Sequence, residues 1–348
     1  MTNQQYIKQM PKIDLHCHLD GSLPTSTICR LAEKARISLP EDTAEFIKQI
    51  TVPDSCTSLA EYLSCFHLPI SCLQSAENLF DASRDLLAAV SKENVIYIEV
   101  RFAPMLSVHE DLPLDTVIDS VLQGLEVGKE KFGVGYGVIL CALRHQPHEI
   151  NSKLLAAVDK FGDRGVVALD LAGNEKRFPV QKHQALFEKA ARMEIPFTIH
   201  AGEADGPASV WTALSLGAKR IGHGIAMKDD PDLMAFCRDN NIGIELCPIS
   251  NLQTKAAADW EDYPFQLFLK EGLPITVNTD NRTVSNTALT REFSELEKVY
   301  GLTTADLETL FRNSANLSFA PNQQKQKMHA AFDEFKKKTC IKNRTPHE

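Results

Sequence analysis

The chain lacks any apolar run near the roughly 18 residues that a membrane-spanning helix needs; its longest candidate is Val134 to Leu143. It therefore reads as a soluble globular protein with no membrane partner. None of its nine cysteines forms a Cys-x-x-Cys pair, and their spacing is irregular, which argues for free thiols rather than a disulfide framework. The first dozen residues are polar and carry no signal-peptide pattern, so a cytoplasmic location in a reducing compartment is expected. There is no excess of positive charge either. With 37 Lys and Arg against 46 Asp and Glu, the formal charge is −9, and broad electrostatic attraction to nucleic acid is excluded. The one basic cluster, Lys336, Lys337 and Lys338 with Lys342 and Arg344, reads as a solvated helix end.

What is present is a large core and a regular alternation. Hydrophobic residues make up 43% of 348 positions, enough for a substantial core in either one large barrel or two ordinary domains. Short β-branched runs predict strands near Lys12–Cys17, Val95–Phe102, Val134–Cys141, Val166–Leu171, Pro196–His200, Arg220–His223, Ile242–Cys247 and Pro274–Thr279. Amphipathic stretches between them predict helices over Thr25–Ala35, Ala76–Ser91, Leu114–Lys131, Val180–Met193, Pro207–Leu216, Pro231–Asp239 and Tyr263–Lys270. Eight strand and helix pairs predict an α/β fold, a single (β/α)8 TIM-type barrel. A helical insertion after the first strand, roughly Leu39 to Leu73, and C-terminal helices over Asn286–Tyr300, Ala305–Asn316 and Asn322–Lys338 complete it. No linker, low-complexity segment or repeat beyond the βα unit interrupts the chain, so residues 1–348 read as one domain.

The barrel reading has a test: the polar residues must gather at the strands' C-terminal ends. The first strand alternates, with Asp14, His16 and His18 on one face and Ile13, Leu15, Cys17 and Leu19 on the other. Two imidazoles at i and i+2 stand side by side and can share a metal ion. His200 ends the fifth strand and runs into Glu203; His223 ends the sixth; Asp280 and Asn281 end the eighth. Each has a bland reading alone, His200 as a core histidine and Asp280 as a turn residue. Independent accidents would not all fall at one mouth. His16, His18, His200 and Asp280 supply three nitrogens and a carboxylate, a set suited to one zinc ion per subunit with an open position for water. Cys17 faces the other way and is excluded. Glu99 and Arg101, which share a face of the second strand, read as a buried structural pair.

These residues also carry a resemblance that runs nearly end to end. The segments His16-Cys17-His18-Leu19-Asp20-Gly21, Asp170-Leu171-Ala172-Gly173-Asn174-Glu175, His200-Ala201-Gly202-Glu203, Ile221-Gly222-His223-Gly224, Cys247-Pro248-Ile249-Ser250-Asn251 and Asn278-Thr279-Asp280-Asn281 resemble the adenosine deaminase family. The resemblance implies zinc on His16, His18, His200 and Asp280, with His18 also bordering the substrate. It implies that Glu203 protonates the purine ring, that His223 steers the attacking water and that Gly173 contacts the base. Asp20 matches the residue for the sugar hydroxyl. Asn281 stands where the family commonly has a second aspartate facing purine N7; an asparagine amide donates to that acceptor without needing an unusual protonation state. The apolar stripe Leu59, Tyr62, Leu63 and Phe66, at i, i+3, i+4 and i+7, reads by itself as a plain core face, and by the resemblance as a hydrophobic gate over a purine nucleoside.

The implied reaction is hydrolytic deamination of adenosine and 2′-deoxyadenosine, with ammonia released. Water attacks C6 and N1 is protonated, so Glu203 needs a raised pKa, while His223 and Asp280 orient the water and take its proton. Free adenine or a modified 6-aminopurine nucleoside is the nearest rival substrate, and Asp20 favours one with a sugar. Arg101, Arg144 and Arg282 lie near the mouth; supporting or surface roles are the first reading for them, with contact to an anionic substituent as the alternative. A two-metal barrel hydrolase would commonly place a lysine at the end of the fourth strand, and Val166 to Leu171 contains none. The zinc deaminases of the other architecture need His-x-Glu with Pro-Cys-x-x-Cys, absent here. A non-catalytic nucleoside binder would require a damaged site, and every group the mechanism needs is present. The oligomeric state is not legible.

Overall fold

Apolar residues on both faces of a run demand that both faces be covered, which is the condition of a parallel strand beneath helices. The computed structural model, which describes residues 2–53 and 55–342, meets that condition. Arg344 lies outside the described residues. Eight strands run in chain order: β1 (Lys12–His18), β2 (Val95–Phe102), β3 (Gly135–Leu143), β4 (Val166–Ala172), β5 (Thr198–Ala201), β6 (Arg220–His223), β7 (Gly243–Leu246) and β8 (Ile275–Val277). They pair in parallel within two sheets, β1-β2-β3-β4 and β5-β6-β7-β8. Single parallel bridges, Leu169 with Phe197 and Cys17 with Asp280, join the sheets at both seams and bring the eight strands round in order.

Helices follow the strands and cover them, as the sequence pattern requires. Thr25–Ala35, Ala76–Ser91 and Pro231–Asp239 coincide with their expected bounds. Ser75 accepts the Asn78 N–H at the start of the second, and Asp230 accepts the Leu233 N–H at the start of the third, each satisfying a donor that the first turn leaves free. The stretch expected as Val180–Met193 is instead a 3-10 turn, Val180–His183, leading into the α-helix Gln184–Arg192. After the last strand the helix expected from Asn286 begins at Leu289, because Asn286 has a positive φ of 46°. The insertion after β1 folds as three short helices, Thr43–Ile50, Leu59–Ser64 and His67–Cys72.

Strand β8 is shorter than expected, for a reason that matters to the site. At Asn278 the side chain joins the backbone ladder: the backbone N–H donates to Leu246 O at 2.9 Å, while its Oδ1 accepts the Leu15 N–H at 2.9 Å and its Nδ2 donates to Leu246 O at 3.2 Å. The chain then turns at Asp280, a non-glycine residue at φ 57°. Backbone bonds from His18 N to Asp280 O and from Asp280 N to His16 O, both 2.7 Å, lock that turn to β1. An outlier of this kind costs about 1–3 kcal/mol and persists only where its surroundings over-determine it.

Candidate active site

His16, His18, His200 and Asp280 converge at the C-terminal ends of β1, β5 and β8, each offering a donor atom within 4.8 Å of the others. His16 Nε2 and His18 Nε2 lie 3.4 and 3.5 Å from Asp280 Oδ1, and the Nε2 atoms of His18 and His200 are 3.2 Å apart. Gly222 makes room for this approach. A Cβ there would stand 3.1 Å from His200 Cα and 3.2 Å from His16 Cε1.

The donor chemistry fits a divalent cation. His16 Nδ1–H donates to Glu245 Oε2 at 2.8 Å, and His200 Nδ1–H donates to Asp170 Oδ1 at 3.0 Å. Each of these rings is thereby held with its Nε2 lone pair facing the centre, the usual service of a carboxylate behind a metal-binding histidine. His16 Nε2 is buried without a hydrogen-bond partner among the described residues, an arrangement that asks for a Lewis acid. Burial, aided by the Arg101 guanidinium, brings His16 down to about 4, and burial holds His18 well below the ordinary imidazole range. Burial alone would raise Asp280, but the imidazoles of His16, His223 and His18 gathered around it hold its carboxyl well below the usual range. A second cluster, His223, Cys247 and Asp280, is a poorer candidate. Burial pushes the Cys247 thiol far up, and His223 Nδ1 is already engaged by Asn251.

Beneath the donors lies a buried ionic layer. Arg101 donates to Asp170 Oδ2 at 3.2 Å, to Glu245 Oε2 at 2.8 Å and to Leu15 O at 2.7 Å, so one guanidinium serves both carboxylates that orient the histidines. Glu99 and Arg101 are not each other's partners, a correction to the expectation from their shared face. Glu99 pairs with Arg220 at 2.6 Å, and Arg220 also reaches Glu245 Oε1 at 2.6 Å. Arg144 donates to Phe178 O and His200 O, and Arg282 pairs with Glu93, so these guanidinium groups are committed to the scaffold rather than to a ligand.

Above the donors opens a cavity of about 340 Å³ lined by His18, Asp20, Gly173, Glu203, His223, Asp280, Asn281 and the stripe Leu59, Tyr62, Leu63 and Phe66. That volume suits a small organic ligand. Glu203 faces His223, with Oε2 3.7 Å from Nε2. Burial raises the Glu203 carboxyl; His223 opposes this, and the negative charges of Asp280 and Glu175 add to it. Asp20 is raised to about 6 by burial, and its Oδ1 is buried with no partner among the described residues, an acceptor open to a ligand hydroxyl. Asn281 Oδ1 is likewise buried without such a partner. Gly173 has φ 103°, a conformation that only glycine adopts readily, and brings bare backbone to the cavity wall.

The stripe is not one helix. Leu59–Ser64 ends at Cys65, and Phe66 precedes the next helix, His67–Cys72. The four side chains nevertheless form, with Val52, Cys56, Cys65 and Val284, a hydrophobic cluster separate from the barrel core. The Tyr62 hydroxyl and Ser285 Oγ share a 2.6 Å hydrogen bond, tying this cover to the loop after β8.

Five functional side chains carry no role in the sequence reading: Asp170, Glu175, Glu245, Ser250 and Asn251. Glu245 had a visible signal, an acid in the middle of the apolar strand Ile242–Cys247. Ser250 Oγ donates to Asp280 Oδ2 at 2.6 Å, from the short helix Pro248–Gln253 after β7.

A family model described as Adenosine deaminase matches residues 11–335. The chain is 40% identical over 328 residues to an adenosine deaminase of Enterococcus faecalis, covering 94% of this chain and 97% of the relative. It is 42% identical over 322 residues to one from Clostridium botulinum, covering 92% and 96%. Among solved structures, an adenine deaminase from Arthrobacter aurescens superposes with a TM-score of 0.85 at 26% identity, covering 94% of this chain and 99% of that one.

Proposed function

This chain belongs to the adenosine deaminase family, and on that premise we propose that it hydrolyses adenosine and 2′-deoxyadenosine to inosine and 2′-deoxyinosine with release of ammonia. The observation that carries the reading is the opposition, across one cavity, of a three-histidine and one-aspartate donor set and a buried carboxyl with a raised pKa, Glu203. We assign one zinc ion per subunit to His16, His18, His200 and Asp280. A cation held there supplies Lewis acidity that makes water a usable nucleophile near neutral pH.

The remaining work falls to the chain's own groups. Attack of water on C6 pushes electrons onto ring nitrogen N1, and Glu203 delivers a proton to N1 from its protonated carboxyl. His223 and Asp280 border the attacking oxygen; of the two protons that water gives up, one leaves with the amino group as ammonia and the other returns to Glu203 as the ring carbonyl forms. Gly173 borders the base, and Asn281 Nδ2–H donates to N7. Asp20 accepts a sugar hydroxyl, which satisfies its unpartnered Oδ1. The apolar cover of Leu59, Tyr62, Leu63 and Phe66 excludes water above the purine.

A second reading, free adenine as substrate, is favoured by the likeness to the Arthrobacter adenine deaminase. The unpartnered Asp20 Oδ1 counts against it, because a free base brings no hydroxyl to that oxygen. The deciding experiment is ammonia release from adenosine, 2′-deoxyadenosine and adenine by zinc-loaded protein, with a chelated control. Turnover of both nucleosides, abolished by chelation, is expected; turnover of adenine alone reverses the substrate assignment.

A further inference from the structure

An imidazole is a different reagent depending on which nitrogen carries its proton, and the partner of the far nitrogen decides that. His223 ends β6 at φ 65°, with its side chain 1% exposed. Its Nε2 faces the cavity and Glu203; its Nδ1 faces away, toward Asn251 Nδ2 at 2.9 Å. The orientation of the Asn251 amide is over-determined. Its Oδ1 accepts the backbone N–H of Cys247 at 3.3 Å, a donor that cannot reverse, and the Tyr263 hydroxyl at 3.3 Å. A flipped amide would aim its NH₂ at the Cys247 N–H, so Nδ2 is left to donate to His223 Nδ1.

We propose that Asn251 is a positioning residue that holds His223 as the neutral tautomer with its proton on Nε2. The inference rests on the deaminase reading for its consequence but not for its geometry. Held this way, His223 has no lone pair facing the cavity. It donates an Nε2–H hydrogen bond to the attacking oxygen and is barred from accepting that oxygen's proton, because doing so would place protons on both nitrogens and set Nδ1–H against the amide NH₂. This narrows the role expected of His223 from sequence: it orients the attacking oxygen and does not take its proton.

Asn251 is within the short helix Pro248–Gln253, buried and away from the cavity wall, so it acts only through His223. The amide is also part of local structure, since its backbone carbonyl accepts from Ala257 N at 3.3 Å. A test must therefore read the imidazole directly.

The experiment is ¹⁵N NMR of zinc-loaded protein labelled at histidine, with His223 assigned from the signals missing in His223→Asn. The expected spectrum shows a proton-bearing Nε2 and a pyridine-like Nδ1 for His223. In Asn251→Asp, whose carboxylate accepts where the amide donated, the proton is expected on Nδ1. In the same variant kcat falls about 100-fold or more, with zinc content retained and KM changed far less. A proton on Nδ1 of His223 in the unsubstituted protein, or full activity of Asn251→Asp with an inverted tautomer, overturns the proposal. Absence of turnover from every aminopurine by the unsubstituted protein would strike the deaminase reading instead, and the tautomer result would stand by itself.

Discussion

Glu175 Oε2 accepts the backbone N–H of Glu203 at 3.1 Å. The same carboxylate also takes the N–H groups of Gly202, Ala204 and Asp205 at 2.8, 2.8 and 3.1 Å, and the Ser209 hydroxyl. One buried side chain thus shapes the whole turn that presents the proposed proton donor. Glu175→Gln replaces an acceptor oxygen with an NH₂ that faces N–H groups. The expected outcome is a loss of about 1–3 kcal/mol of stability and a fall in kcat of about 10-fold or more. Steady-state kinetics beside zinc analysis check this; unchanged kcat would show that the turn keeps its shape without the carboxylate.

Arg101 joins the two carboxylates that orient His16 and His200. Lysine keeps the charge but not the fork that reaches both acids at once. For Arg101→Lys, metal affinity is expected to fall about 10- to 100-fold, the usual effect of disturbing the groups behind metal ligands. Competition with a chelator measures it without recourse to turnover. Equal affinity would reduce Arg101 to a structural ion.

Phe66 belongs to the apolar cover and not to the donor set. Truncation to alanine removes roughly 1.5–3 kcal/mol of apolar burial, part of it made only with a bound ligand. KM for adenosine should therefore rise about 10-fold while zinc content stays the same. A variant with normal KM and a lowered melting temperature would assign Phe66 to packing alone.

Glu292 is buried and raised from 4.5 to about 8 by that burial; the Thr287 hydroxyl and the Ile249 N–H oppose the rise. Its folded pKa lies above its unfolded one, so the folded state holds a proton that the unfolded state releases. Between about pH 4.5 and 8 this group makes stability fall as pH rises, and its contribution is fully present only below that window. Glu292→Gln keeps an acceptor for Ile249 N–H and removes the titration. Its denaturant midpoint should change less between pH 5 and pH 8 than that of the unsubstituted protein; parallel curves would contradict the assignment.

The order of the barrel was legible because each strand and helix is written locally. A run such as Val95–Phe102 needs cover on both faces, and a stretch such as Ala76–Ser91 repeats its apolar positions at helical spacing. The donor set was legible for a related reason. In a barrel the strand ends meet at one mouth, so His16, His18, His200 and Asp280 are brought together by topology alone. The segmented cover was less legible, since the i to i+7 spacing of Leu59 and Phe66 does not report the turn that breaks the helix between them.

By itself, then, the sequence determined the fold class and the four candidate metal donors, which follow from local periodicity and position at a strand end, while the resemblance singled out Glu203 as the opposing acid. Only the tertiary structure decided which groups govern those side chains. Glu245 lies 229 positions from His16, and Asn251 lies 28 from His223. Neither separation has a period or a motif to announce it. Hydrogen-bond direction, tautomer and burial are properties of a packed neighbourhood, and the chain acquires them only when strands distant in sequence share one interior.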